Sequence, residues 1–311
     1  MKISIVIPVY KSSESLKIIA AQVYELGIKL KEYNFELIFV NDSPAFYDTS
    51  QALEVIGENY EFTRVVTLRK NQGQHMALLV GISVAKGDYI ITMDDDLQNP
   101  VCEIPKLVNA LLENEQTEVV FAVPAYSQKK HNLWRNFGSY ILNKLDTFFL
   151  QKPKGLIKSP FRIFGADISN VILNNYNATP ALSSLLINTT SKIINIEVEH
   201  KERAYGSSNY TLTKLIRHTF NNILHYSSLP LKLVGIIGLF GFLFSLVFIL
   251  IVIIRKIFNG IEMSGYASTV SLVSFFGGLN LLSLGLVGEY LIRIIKEQQK
   301  VKLDDLISKI N

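Results

Sequence analysis

The sequence predicts an α/β fold: a Rossmann-like, mostly parallel sheet within residues 1–210, followed by a two-helix transmembrane hairpin over 233–288. Three observations predict it. In the first two thirds, short β-rich runs alternate with helical patterns, which is how a parallel sheet covered by helices reads. In the last third, two uncharged stretches are each long enough to cross a bilayer. Over all 311 residues only 19 % are charged and 49 % are hydrophobic, whereas a soluble domain carries about 25 % charge.

The predicted strands are 3–7, 35–40, 64–68, 89–93 and 119–123, and the helices between them are 14–31, 50–58, 75–85 and 104–113. The opening run, KISIVIP, reads as a strand and not as a signal peptide, because no basic segment precedes an apolar one. Ligands of such sheets bind at the carboxyl ends of the strands, so the residues just after each strand are the ones to examine. Two later segments, 133–150 and 212–227, mix aromatic and basic residues with apolar ones. That mixture suits a helix at a membrane surface as well as a helix packed on the sheet. Residues 211–232 are read as a juxtamembrane amphipathic helix.

The uncharged stretches are 233–254 and 266–288, of 22 and 23 residues. A bilayer core takes about 20 apolar residues in a helix, and a buried core helix rarely runs so long without charge. Lys214, Arg217 and Lys232 precede the first, and Arg293, Lys296, Lys300 and Lys302 follow the second. The connecting loop holds Arg255 and Lys256. Seven basic residues against two place both termini, the N-terminal domain and the 289–311 tail in the cytoplasm. A transporter is a poor fit, since Asn280 is the only strongly polar residue within the two stretches.

Net charge is +4, from 31 basic and 27 acidic residues, too mild to argue for nucleic acid. The single cysteine, Cys102, excludes an intramolecular disulfide. The five histidines are scattered and suggest no zinc site. No Walker A, dinucleotide GxGxxG or GxSxG pattern occurs.

Asp94, Asp95 and Asp96 follow the fourth strand directly. In an extended segment, residues two apart point the same way, so Asp94 and Asp96 can share one hard cation while Asp95 turns aside. Magnesium and manganese prefer such oxygens and often take substrate phosphate as well. A solvated acidic turn is the alternative. Asp42 ends the second strand and can accept hydrogen bonds from a base or ribose, or serve as a loop or cap residue. The first strand ends in Pro8-Val-Tyr10, whose tyrosine can flank a base. After the third strand, RKNQG (69–73) opens a helix. The basic and glycine character of that start, with Lys70, Asn71 and Gly73, suits phosphate.

Taken together, these segments resemble the family 2 inverting glycosyltransferases, in their bacterial polyisoprenyl-phosphate branch. The matching segments are SIVIPVY (4–10), LIFVNDS (37–43), LRKNQGQHMALLVGISVAKGDYIITMDDDLQNP (68–100), YGSSNYTLTKL (205–215) and GEYLIRI (288–294), with the two terminal hydrophobic stretches. The likeness is strongest to transferases of aminoarabinose and glucose to undecaprenyl phosphate, and it extends to dolichol-phosphate mannose synthases. It implies a GT-A fold in the bacterial inner membrane. It implies transfer from a nucleotide-sugar, here a UDP-sugar, to a polyprenyl phosphate at the cytoplasmic leaflet. By the same likeness, Asp94 and Asp96, with Gln98 close by, hold Mg²⁺ or Mn²⁺ on the donor diphosphate. Pro8, Tyr10, Asp42, Lys70, Asn71, Gly73, Asp94 and Asp95 line the nucleotide site. Arg135 and Ser139, in WRNFGS, hold the lipid phosphate, and Arg203 stands at the active-site mouth. Asp96, Arg135 and Arg203 are the implied catalytic residues. Relatives are often tetramers, so a homo-tetramer is expected, coupled to a flippase and a second transferase.

The chain departs from the family pattern in four places. PVYNEE reads PVYKSSE. DDGSxDxT reads NDSPAFYDTS, with an insertion. Pro124 stands where an arginine is common after the fifth strand, with Lys129 and Lys130 as substitutes. Pro160, in SPFRIF, occupies the place of the Asp in GDFRL that has been proposed as a base. A phosphate monoester acceptor has its second pKa near 6 and is already a nucleophile at neutral pH, so no strong base is required. A processive polysaccharide synthase would need a QxxRW motif and more membrane helices. A non-catalytic GT-A scaffold is the other rival, opposed by the intact DDD and LRKNQGQ segments.

Overall fold

The computed structural model of the chain describes residues 1–125, 153, 155–178, 180–201, 265–298 and 300–311, with ten isolated positions between 236 and 258. It forms two compact units, residues 1–216 with 300–311, and residues 217–299.

The first unit is built on an eight-stranded sheet. Its strands are β1 (Lys2–Val9), β2 (Asn34–Asn41), β3 (Thr63–Leu68), β4 (Tyr89–Thr92), β5 (Val119–Pro124), β6 (Arg162–Gly165), β7 (Ile193–Val198) and β8 (Ile307–Ile310). The order across the sheet is β7-β5-β6-β4-β1-β2-β3-β8. The β4-β1-β2-β3 core is parallel, while β6 and β8 run antiparallel to their neighbours. The sheet is therefore mixed, where the sequence predicted one mostly parallel. The difference lies in two four-residue strands too short to announce themselves.

The central strands are apolar on both faces, as a sheet covered on both sides requires. One face of β1 (Ile3, Ile5, Ile7, Val9) buries against α1 (Glu14–Lys29), α2 (Tyr47–Asn59) and α4 (Ile104–Leu112). The other face is covered by α3 (Gln74–Val84), itself flanked by α5 (Ala166–Asn175) and α6 (Leu182–Thr189). α3 lies so close that a Cβ at Gly81 would collide with Val6 and come 2.9 Å from Val40. In parallel register Val9 stands opposite Asn41 and Val6 opposite Thr92, so the carboxyl ends of β1, β2 and β4 finish side by side.

After the second unit the chain returns to the sheet. β8 pairs with β3, and Leu303 and Leu306 bury beneath it. Lys300 donates to the Tyr176 carbonyl at 2.7 Å. The segment read from sequence as a tail thus supplies an edge strand.

The second unit contains α7 (Tyr266–Gln298), 33 residues long. Within it, 275–298 is long and apolar enough to cross a membrane. Large apolar side chains such as Phe275, Leu284 and Leu291 face outward. This helix overlaps the second predicted span, 266–288, and continues past it. The first predicted span, 233–254, and the 211–232 helix lie for the most part outside the described residues, so the hairpin stands as a sequence expectation.

Candidate active site

Four strand ends converge at the carboxyl edge of β3, β2, β1 and β4. At the first, Gly73 has φ +86°, a left-handed conformation that glycine adopts without steric cost. It turns the 69–73 loop into α3. Asp42, buried at the end of β2, fastens that loop: its two carboxylate oxygens accept the backbone N–H groups of Gln72 (2.6 Å) and Gly73 (2.9 Å). Burial pushes the Asp42 carboxyl above its ordinary value, and the two N–H bonds act against that shift. The sequence offered Asp42 as an acceptor for a base or ribose. Its first task here is to tie β2 to the loop, and a carboxylate with about four acceptor positions retains capacity for a ligand.

β4 ends at Thr92, and the three carboxylates just beyond it take three different partners. Asp94 accepts from the Gln74 side chain (2.6 Å), the first residue of α3. Asp96 accepts the backbone N–H of Gln98 (3.1 Å), bridging Leu97, whose φ is +62°. Asp95 turns to β1, where the Ser12 hydroxyl donates to it at 2.6 Å. Burial raises the Asp95 carboxyl, Ser12 and the Tyr10 backbone oppose the shift, and the charge of Asp96 adds to it. The Gln98 carbonyl accepts the N–H of Lys201 (2.9 Å). This brings His200 near Asp96. Burial lowers the imidazole pKa, and the carboxylate resists that lowering.

Beneath this edge lies a residue that sequence reading passed over. Arg162 is 1 % exposed and pairs in register with Thr92, two residues before Asp94. Its Nε donates to Thr92 Oγ1 (2.9 Å) and an Nη to Ser183 Oγ (2.7 Å), and the guanidinium lies 5.8 Å from the Phe121 ring centroid. Burial pushes its pKa down to about 10, and the Asp94 carboxylate pulls it back up. This cation offsets part of the repulsion among three adjacent carboxylates. Replacing Arg162 with Ala is expected to destabilise the protein by about 3–5 kcal/mol, since a cavity remains in the core and Ser183 loses its donor, while Thr92 keeps its bond to the Pro160 carbonyl. Arg162→Lys is expected to recover little, because an ammonium lacks the planar fork that reaches both hydroxyls. Denaturant titration in detergent would measure both.

The remaining predicted residues are placed as follows. Pro8 is buried within β1, while Tyr10, Lys70 and Asn71 are exposed at the edge. Arg69 turns toward the C-terminal segment: its N–H and Nε donate to the carbonyls of Leu306 (2.9 Å) and Asp305 (3.0 Å). Pro160, exposed before β6, accepts the Thr92 hydroxyl on its carbonyl (2.8 Å) and offers no carboxylate. Arg135, Ser139, Arg203, Lys129 and Lys130 lie outside the described residues. Besides Arg162, sequence reading missed Gln74, Ser12 and His200. The first stands inside the LRKNQGQ segment, and its place just after Gly73 was the available signal.

Comparison with known proteins agrees with this architecture. Residues 4–172 match the profile of Glycosyl transferase family 2. The undecaprenyl-phosphate 4-deoxy-4-formamido-L-arabinose transferase of Yersinia enterocolitica serotype O:8 is 32 % identical over 303 residues, covering 95 % of this chain and 90 % of that protein. Among solved structures, glucosyl-3-phosphoglycerate synthase from Mycobacterium tuberculosis in complex with phosphoglyceric acid aligns with a TM-score of 0.54 at 18 % identity. The alignment covers 73 % of this chain and 80 % of that one. The same enzyme with Mn²⁺, UDP-glucose and phosphoglyceric acid aligns at 0.52 and 16 %, covering 72 % and 79 %. At such identity the likeness is one of fold, that of the GT-A glycosyltransferases. A relative sharing nearly a third of its residues along almost the whole chain, together with the profile match through the sheet and its acidic edge, means that the chain belongs to glycosyl transferase family 2.

Proposed function

We propose that this glycosyltransferase moves a sugar from a nucleotide-sugar, a UDP-sugar first, to undecaprenyl or another polyprenyl phosphate at the cytoplasmic membrane face, with inversion. The observation that carries the reading is the carboxyl edge itself. A backbone loop opening α3 is clamped by Asp42 beside Asp94 and Asp96, in a chain whose relatives at about a third identity are named for undecaprenyl phosphate. An apolar helix of bilayer length suits a lipid acceptor. Those relatives make a formamido-pentose donor the first sugar to try.

Asp94 and Asp96 fit a hard divalent cation: both are oxygen donors, two residues apart, each oriented by an amide. Among the described residues no group of three or more His, Cys, Asp or Glu assembles into a metal site. Donor phosphate oxygens and water would complete the coordination, as Mg²⁺ prefers. Such an ion, when bound, neutralises charge on the departing diphosphate. The 69–73 loop and the start of α3 hold the diphosphate, and Arg135, Ser139 and Arg203 hold the acceptor phosphate. An acceptor oxygen forms its bond to the anomeric carbon as the bond to the nucleoside diphosphate breaks. The nucleophile is an anion, so no proton need leave it, consistent with Pro160 where relatives carry an acid. Positioning and electrostatic stabilisation supply the rate. A lipid-linked sugar made inside is useful to the cell envelope only after a flippase and a second transferase act.

The test is transfer by the full chain in nanodiscs with undecaprenyl phosphate, Mn²⁺ or Mg²⁺, and a panel of UDP- and GDP-sugars, read by mass spectrometry. A glycosylated lipid phosphate that disappears with EDTA is expected. Nucleotide binding without product from any donor or prenyl phosphate would count against the acceptor assignment. Absence of both binding and product would favour the scaffold reading.

A further inference from the structure

Glu103 stands at the N-cap of α4, and its side chain is only 7 % exposed. A cap residue usually turns a side-chain oxygen onto the first N–H groups of its own helix. Glu103 does not: its carboxylate makes no bond to the start of α4. It reaches instead to the chain leaving β7. One of its oxygens accepts the backbone N–H of Glu199 (3.3 Å) together with the Lys106 ammonium (2.6 Å). Taking a carboxylate out of water is costly, and one exposed lysine offsets little of that cost. Starting α4 needs no such group, since Ser or Asp would cap it directly.

The segment that Glu103 holds leads to the acidic edge. Two residues after Glu199, the N–H of Lys201 donates to the Gln98 carbonyl (2.9 Å), and the Gln98 N–H donates to Asp96 (3.1 Å). Residues 199–201 are thus fastened at both ends to one stretch of chain, 98–103, that begins two residues after Asp96. His200 lies between the two fastenings, half-buried and within the field of the Asp96 carboxylate. We infer that Glu103 is a positioning residue for the metal edge: by holding the backbone at Glu199 it keeps His200 beside Asp96, and His200 steadies that carboxylate for the divalent cation. This inference rests on the reading above in which Asp94 and Asp96 take Mg²⁺ or Mn²⁺. Loss of a group that orients a metal-ligating side chain from behind changes metal affinity by about 10- to 100-fold.

The experiment is Mn²⁺ binding to the full chain in nanodiscs, with and without UDP, read from the electron paramagnetic resonance of the free ion, beside hydrogen exchange on the metal-free protein. Glu103→Ala is expected to speed exchange across residues 199–201 and to weaken Mn²⁺ by about tenfold. His200→Ala is expected to weaken the ion by at least as much. The double variant should be no weaker than His200→Ala alone, because both changes interrupt one line of contacts. Glu103→Gln keeps an acceptor for the Glu199 N–H and is expected to recover most of the affinity, while Lys106→Ala should leave it in place. A role confined to folding would lower the melting temperature and leave the affinity of the folded protein for Mn²⁺ unchanged. That result, or losses that add in the double variant, would overturn the positioning role and leave the metal reading standing. Failure of the wild-type protein to bind Mn²⁺ would overturn the metal reading itself, and this role with it.

Discussion

Asp96→Asn is expected to lower sugar transfer by about three orders of magnitude and to remove its response to added Mn²⁺. Asn has the shape of Asp and keeps an oxygen for the Gln98 N–H, 3.1 Å from Asp96, so the Leu97 turn and the fold should survive. What is lost is a charge. A divalent ion on a leaving diphosphate supplies several kcal/mol of transition-state stabilisation, and each 1.36 kcal/mol is about a factor of ten in rate. Wild-type protein in EDTA should fall to a similar residual rate, and EDTA should add little to the variant. Asp95→Asn is the contrasting case. Its partner is the Ser12 hydroxyl on the β1 side, so its loss should cost about tenfold or less with the metal response intact. Single-turnover rates across a Mn²⁺ titration would measure all of these. Asp96→Asn within tenfold of wild type, with unchanged metal dependence, would remove Asp96 from the metal site.

The legible and illegible parts of this molecule divide along physical lines. β1 to β5 were readable because central parallel strands are continuous apolar runs; α1, α2 and α4 keep a 3.6-residue period, whereas α3 buries six successive residues, Ala77 to Ile82, and was readable as an apolar run between two strands. The acidic edge was readable as a run of carboxylates just after a strand, but β4 ends at Thr92, and the partners of Asp94, Asp95 and Asp96 come from contacts that alternation does not specify. β6 and β8, four residues each, were not readable. Their identity as strands comes from partners far along the chain, Tyr89–Thr92 for β6 and Val66–Leu68 for β8. The sequence ISKI after two aspartates carries no sign of that pairing. α2 begins at Tyr47, earlier than the expected residue 50, because the insertion after Asp42 folds into its first turn. Asp42 could be recognised as a strand-end carboxylate, but nothing local tells that its partners are backbone groups thirty residues on. Arg162 was hidden differently. In SPFRIF it reads as an ordinary polar residue of an edge, and only the antiparallel register with Thr92 turns it under the acidic run. Arg135, Ser139 and Arg203 rest on resemblance alone.

Deleting residues 303–311 should have the largest effect on stability of any change away from the acidic edge. The deletion removes Leu303 and Leu306, both buried, and the β8 ladder, including reciprocal bonds between Val65 and Asn311 (2.9 and 3.3 Å). Two buried leucines alone are worth about 3–6 kcal/mol, a large share of the roughly 5–15 kcal/mol that holds a domain folded. The bared edge of β3 would also invite pairing between chains. The consequence for function travels through Arg69, whose N–H and Nε both end on carbonyls of that segment. Without them the 69–73 loop is fastened chiefly by Asp42, and donor KM should rise before kcat falls. Leu306→Ala is the milder form, expected to cost about 2–4 kcal/mol and to raise hydrogen exchange across residues 63–73 while the rest of the sheet stays protected. If exchange there is unchanged and KM holds, the C-terminal strand is only a cover for the sheet edge. If both move together, the strand that follows the apolar helix also sets the donor loop.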